Sequence, residues 1–388
     1  MKSEWKKVTL GDLISVSQGY TFKPEFQGVQ GEKWQYFKVA DIGLSSNKKY
    51  LITALNSISE EIKQFLKIKE FPAGSIAFPR VGAALLNNNK KILFQDSIVD
   101  DNTIVITPHT ATINNEFLYY WFLTKQLKDF CNDGPVPVIS SKNIKSSKIL
   151  LPPISEQEKI AKTLSIWDSA IEKTEKLIEK KEALLNWYAK RILISGKTAK
   201  VLFSDLFKLS SEKNTLNQSY PALSVTKDGV VFQEEYFNKR VASEDTSNYL
   251  IARRNTFVFS GLNFWMGSVD LQTLTDVGII SPAYKVFTIN SDLISYEYAH
   301  FLIRSNYMKR LLMDSSIVGA SIVRRNLDMD NLLNSAIELP TLEQQSKIVE
   351  QLSIIQKDIE LNKMLLKQYK LQKQGLMQKL LTGEWRIE

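Results

Sequence analysis

The chain has 388 residues, 44% of them apolar and 24% charged, with a formal net charge of +8 at pH 7. That length holds two core-bearing domains and connecting elements, and the composition is that of an ordinary soluble globular protein. Cys131 is the only cysteine and no run approaches ~18 apolar residues, which excludes a disulfide framework, a thiolate metal site and a membrane span, so a cytoplasmic protein is expected. The basic balance is a mild pointer to nucleic acid.

The first 150 residues read as α+β. Strands are expected at Ser75–Phe78, Lys91–Phe94 and Thr103–Thr107, where β-branched and aromatic residues run between turn signals. One helix is expected over Asn115–Phe130, burying Phe117, Leu118, Trp121, Phe122 and Leu127. Polar, irregular stretches lie at 86–91 and 134–148. The acidic pair Asp100-Asp101 reads as a solvated turn.

A long charged helix follows at Ser155–Ile194, carrying one thin apolar seam. The seam is Ile160, Leu164, Trp167, Ile171, Thr174, Ile178, Lys181, Leu185, Tyr188 and Ile192, spaced alternately by 4 and 3 residues, as in a coiled coil. Its length is roughly 60 Å at 1.5 Å per residue, long enough to join two domains. Leu151-Pro152-Pro153 announces it, Ser155 with Glu158 fits a capping box, and Gly196 is its stop.

The second half repeats the first. Val201–Leu206 resembles Val8–Leu13 at an offset of 193, Tyr220–Leu223 resembles Tyr36–Val39 at 184, and one offset of 181 relates residues 74–123 to the second half. Strands are therefore expected at Thr256–Ser260 and Tyr284–Thr288, and a helix at Tyr296–Met313. Adding 188 to the seam gives Ile348, Leu352, Ile355, Ile359, Asn362, Leu366, Tyr369, Lys373, Leu376 and Leu380. This second helix follows Leu339-Pro340, is capped by Thr341 with Gln344, and stops at Gly383. A tandem duplication fits, the period being far too long for a solenoid.

The fold class expected is thus α+β: two similar globular domains joined by two long antiparallel coiled-coil helices in a pseudo-two-fold, circular arrangement. The boundaries are 1–150, 151–196, 197–338 and 339–388. Antiparallel pairing would bring the C-terminus near the N-terminus and Thr174 near Asn362, where polar seam residues set register.

The openings Leu151-Pro152-Pro153-Ile154-Ser155-Glu156-Gln157-Glu158-Lys159-Ile160 and Leu339-Pro340-Thr341-Leu342-Glu343-Gln344-Gln345-Ser346-Lys347-Ile348, with the ending Gly375–Gly383, resemble the specificity subunit of type I restriction–modification systems. The resemblance spans the whole chain; Thr341 stands in place of a second proline. It implies two target-recognition domains, each reading one half of a bipartite double-stranded DNA target. It implies helices that set the unread spacer and dock two methyltransferase subunits, with restriction subunits joining through them. It also implies no catalysis and no cofactor in this chain, S-adenosylmethionine, ATP and Mg belonging to the partner subunits.

The residues agree with a non-catalytic reading. Ser281-Pro282-Ala283-Tyr284 lacks the acceptor side chain and second proline that an adenine methyltransferase needs, and Gly196-Lys197-Thr198 follows a helix and lacks the first glycine of a phosphate loop. His109 and His300 have no neighbours at metal-ligand spacing. A DNA reader needs cations for phosphates and Arg, Lys, Asn or Gln for base edges. The candidates are Gln18, Tyr20, Lys23, Arg80, Asn87, Asn88, Asn89, Lys90 and Lys91, with Lys142 and Lys145 for backbone. In the second half they are Ser224, Thr226, Lys227, Arg253, Arg254, Asn263, Trp265, Arg324 and Arg325, the last pair being favoured beside Gly319. The competing readings are a coiled-coil scaffold that binds proteins and a stand-alone DNA-modifying enzyme.

Overall fold

The computed structural model describes residues 5–134, 136–193, 198–238, 242–318 and 325–387. The chain forms two compact units, Met1–Thr174 with Leu365–Glu388, and Glu175–Met364. The two long helices, α1 (Ile154–Ile192) and α2 (Leu342–Leu381), each contribute residues to both units.

In the first unit a five-stranded sheet runs Ile14–Gln18, Thr103–Pro108, Ile76–Pro79, Lys91–Leu93, Tyr50–Leu51. Its central strand is buried on both faces, as an Ile-Ala-Phe-Pro run requires. A smaller sheet pairs Trp34–Phe37 antiparallel with Ser57–Ile58 and parallel with Ile98–Val99. Phe78, Phe117, Tyr120 and Phe122 form a core that α1 completes with Ile160 and Leu164, and α2 with Leu380 and Leu381. Each such side chain contributes about 1.5–3 kcal/mol on burial.

The second unit repeats the frame. Phe207–Ser210, Tyr284–Ile289, Thr256–Ser260 and Val269–Gln272 form one antiparallel sheet. Gly229–Phe232, Ala222–Thr226, Val277–Ile280 and Leu250–Arg253 form the other. Ala222 lies opposite Ile279 as Tyr36 lies opposite Ile98. The structural partner of Tyr36 is therefore Ala222, two residues beyond the Tyr220 that sequence alignment suggested.

All five expected strands form, Thr256–Ser260 as expected and the others with ends moved by one residue, as Ile76–Pro79, Lys91–Leu93, Thr103–Pro108 and Tyr284–Ile289. The helix expected over 115–130 is instead Asn115–Leu123 followed by a 3₁₀ turn, Leu127–Phe130. Its counterpart is divided into Tyr296–Ile303 and Asn306–Asp314. Hydroxyls account for both breaks. Thr124 Oγ1 donates to the Trp121 carbonyl, and Ser305 Oγ caps the new helix by accepting from Met308 N.

The seams are packed throughout. Every seam residue of α1 and α2 is buried or half-buried. In the first unit the Trp167 and Tyr369 rings meet edge to face at 5.7 Å, Asp168 accepts from Lys373, and Arg386 grips Glu156 at 2.7 Å. In the second, Lys181 meets Asp358 at 2.5 Å and Tyr188 donates to Gln351 at 2.8 Å. In the first unit Ile160 and Leu164 share a core with Leu380 and Leu381, while the later Asp168 reaches back to Lys373. In the second, Lys181 and Tyr188 reach Asp358 and Gln351 in turn, so the helices are antiparallel within each unit. Both seam lysines, Lys181 and Lys373, thus find an aspartate on the opposite helix. Thr174 and Asn362, expected to meet, are each satisfied within their own helix, donating to the Ala170 and Asp358 carbonyls.

The caps differ between the copies. Thr341 Oγ1 accepts from Gln344 N and Gln344 Oε1 from Thr341 N, the expected box. Ser155 is not the cap of α1: the helix begins one residue earlier, at Ile154, and the Pro153 carbonyl accepts from Glu156 and Gln157. Gly383 takes φ +76°, the left-handed stop; Gly196 lies outside the described residues.

The chain end returns to its beginning within the first unit. Trp5 Nε1 donates to Glu156, whose carboxylate also takes the Arg386 guanidinium, and Arg386 stacks over the Trp5 ring.

The globular part of the first unit is tied to both helices by charge. Lys49 Nζ lies 3.2 Å from Glu116 and 3.5 Å from Asp168, and Tyr120 donates to Asp168 at 2.5 Å. Asp168→Ala leaves Lys49 and Lys373, each 15% exposed, without their shared counter-charge. A loss of about 3 kcal/mol is expected in denaturant unfolding, the scale for breaking a largely buried pair; a change under about 0.5 kcal/mol, the range of an ordinary surface substitution, contradicts the network's role.

Candidate nucleic-acid interface

In the first unit three strand ends converge on one turn. Gln18 ends its strand, Arg80 directly follows Ile76–Pro79, and Asp101 sits between Ile98–Val99 and Thr103–Pro108. Gln18 Nε2 and Arg80 Nε both donate to the Asp101 carbonyl, at 2.8 and 3.2 Å. Tyr20 borders the turn through a bridge to Asp100, with its ring 6.0 Å from Phe71. The Arg80 loop is joined to a second loop by the Val81–Val138 bridge. Lys23, Lys142 and Lys145 are exposed, as a phosphate contact requires.

Several candidates have structural duties instead. Lys90 is 2% exposed and donates to the Asn88 side chain and the Lys125 carbonyl, at 2.8 and 3.0 Å. Asn88 takes φ +55° and accepts from Leu127 N, so it fastens the loop to the 3₁₀ turn. Lys91 folds back onto the Lys48 carbonyl. Of this stretch Asn87 is exposed and Asn89 half-buried. Asp100, read as solvated, is buried; it accepts from Thr103 Oγ1 and Val39 N, and burial raises its pKa.

The same corner of the second unit carries different chemistry. Gly261 N donates to the Ala283 carbonyl as Arg80 N does to Asn102, so glycine stands where the first unit has arginine. Asn263 is exposed beside the turn Phe264–Met266, and Trp265 presents a buried indole N–H with no acceptor among the described residues. Leu262 and Met266 are exposed on the same loop. Ser224, a candidate, is buried and accepts from Gln233; Thr226 is spent on its hairpin, donating to the Gly229 carbonyl, and Lys227 is exposed at the tip. Arg253 and Arg254 are exposed but paired, with Glu212 at 2.6 Å and Asp276 at 2.9 Å. Arg325 opens the strand Arg325–Leu327 and donates to Ser316 Oγ at 3.3 Å. Arg324 and Gly319 lie outside the described residues.

Among the described residues no group of three or more His, Cys, Asp or Glu could hold a metal, and no helix is long and apolar enough to cross a membrane. Ser281-Pro282-Ala283-Tyr284 turns between two strands. Residues 2–182 and 198–370 match the type I restriction modification DNA specificity domain. The chain belongs to this family of DNA specificity subunits.

A similar curated protein is the type I restriction enzyme MjaVIII specificity subunit of Methanocaldococcus jannaschii, 23% identical over 340 residues that cover 78% of this chain and 77% of that one. Two solved structures share the fold at 14% identity. The S subunit of the M. genitalium type I restriction–modification system has a TM-score of 0.54, over 97% of this chain and 96% of its own. A chain from a study of complex assembly and conformational transition in the type I R-M system has a TM-score of 0.59, over 98% of each.

Sequence reasoning missed two residues that position this specificity subunit's recognition frames. Gln157 and Gln345, both fully buried, occupy the same place 188 residues apart. Gln157 accepts from Asn114 N and donates to the Thr112 and Pro152 carbonyls; Gln345 accepts from Ser295 N and donates to the Leu293 and Pro340 carbonyls. Each locks a long helix to the loop entering the globular helix above it. The glutamine recurring at the same place in both helix openings, Glu156-Gln157 and Gln344-Gln345, was the available signal. Off the seams, Ile354, Leu361 and Met364 of the second unit and Ile166, Leu365 and Leu371 of the first expose apolar surface.

Lys90 gives a direct check on the corrected assignments. Burial holds its pKa down to about 8, so the folded chain binds this proton more weakly than the unfolded chain. The wild type is therefore expected to gain stability as pH rises from about 8 toward the ordinary lysine value of about 10.4, and Lys90→Met to lose that gain. DNA affinity of the folded variant and its salt dependence are expected to stay unchanged; a salt slope shallower by about one charge would make Lys90 a phosphate contact.

Proposed function

We propose that the two globular frames of this specificity subunit read the two halves of one bipartite DNA target. One observation carries this reading: the same strand-end corner holds Arg80, Gln18 and the Asp101 turn in one unit and Gly261 and the Asn263–Trp265 loop in the other. Equal scaffolds with unlike edges are what two different half-sites demand, because base identity is read by side-chain donors and acceptors while phosphate contacts fix position. The net charge of +8 supports phosphate attraction.

The helices would set the unread spacer, and their exposed apolar residues outside the seams suit two docked methyltransferase subunits, through which restriction subunits join. The chain itself would carry no catalysis, with S-adenosylmethionine, ATP and Mg acting in those partners, inside the cytoplasm. Co-expression with the cognate methyltransferase and mapping of modified adenines tests the reading. One bipartite sequence with a fixed gap is expected. Arg325→Ala is expected to lower methylation, with relaxed preference confined to one half-site. Modification by the purified chain alone, or a contiguous target, would overturn the proposal.

A further inference from the structure

Arg80 is the one arginine among the first 150 residues, which carry eighteen lysines. Its setting is specific. Its backbone is fixed at both ends, N–H to the Asn102 carbonyl at 2.8 Å and carbonyl to Ile139 N at 2.9 Å. Its half-buried side chain is fixed at Nε by the Asp101 carbonyl. The adjacent carboxylate, the natural trap for a guanidinium, is engaged elsewhere: Asp101 Oδ2 accepts from Thr21 Oγ1 at 2.9 Å, and Oδ1 from Asn102 Nδ2 at 3.2 Å. No described residue accepts from the two terminal amines of Arg80, whereas Arg253, Arg254 and Arg386 are all committed to carboxylates.

We propose that Arg80 is a base-reading residue of the N-terminal recognition domain, presenting its terminal amines as a fork to a guanine in that domain's half-site. The inference rests on the functional reading above and adds a residue and a base to it. A planar guanidinium pinned at Nε leaves two parallel N–H donors at the spacing of guanine O6 and N7, the pairing that distinguishes a G·C pair in the major groove. A lysine supplies a point charge without that geometry, which suits it to phosphates. Gln18 shares the Asp101 carbonyl with Arg80 and so acts as a positioning residue.

The test uses the full chain in complex with its methyltransferase, comparing wild type with Arg80→Lys and, as a variant that keeps the apolar stem, Arg80→Met. Assembly and melting temperature are measured on the same preparations. In the wild-type map a guanine, or its paired cytosine, is expected at an invariant position of one half-site. In Arg80→Lys, discrimination at that position is expected to fall by about 5- to 150-fold, the loss of one bidentate pair, with the other half-site and the salt slope unchanged. An unchanged target map in both variants overturns the assignment. So does a uniform loss of affinity with the salt slope reduced by about one, the signature of a phosphate anchor. A wild-type complex with no bipartite preference would instead overturn the functional reading itself, which separates the two failures.

Discussion

The structure depends on an antiparallel pairing of two helix segments within each unit. The alternation of 4 and 3 residues presents a seam too narrow to bury a helix alone, so each seam needs a partner of equal period. Having two such seams in one chain supplies that partner internally. The seam's lysines then become assets, because antiparallel register sets Lys181 against Asp358 in one unit and Lys373 against Asp168 in the other. Gln157 and Gln345 fasten the globular frames to the helix starts with three hydrogen bonds each.

Duplication has kept the frame and varied the fittings. In the first unit Lys49, Glu116, Tyr120, Asp168 and Lys373 form a charged cluster where globular helix and long helices meet. At the repeat-related positions of the second unit stand Phe301, Gln356 and Leu185, which line a cleft of about 280 Å³. The same divergence sets Arg80 against Gly261 at the strand-end corner, so the two units carry unlike side chains at equivalent places. Packing tolerates such change as long as the apolar frame is kept, since buried ion pairs and apolar contacts of similar volume are energetically close.

The seams and the paired strands were legible in the sequence because periodicity reports directly on which face is buried. What escaped was set by tertiary partners. Lys90 and Ser224 look like surface groups by type, yet Lys90 reaches the backbone carbonyl of Lys125, 35 residues away, and Ser224 meets Gln233 across a hairpin. Asp100 looked solvated for the same reason. The helix breaks at Thr124 and Ser305 turn on hydroxyl-to-backbone bonds that apolar periodicity does not encode. At the candidate interface the sequence offered Arg80 as the one arginine among many lysines; its pinned Nε and the occupied Asp101 carboxylate show only in the structure.

The central claim, that one chain supplies both members of each helix pair, is most directly tested by cross-linking in a Cys131→Ser background. Trp167→Cys with Tyr369→Cys, and Tyr188→Cys with Gln351→Cys, are treated with a short bis-maleimide, and the products are separated by mass. The account predicts that each cysteine pair is bridged inside a single chain at dilution, with no dimeric product. Bridges that form only between chains, or bridging equally efficient when Tyr369→Cys is replaced by Leu376→Cys, would contradict it.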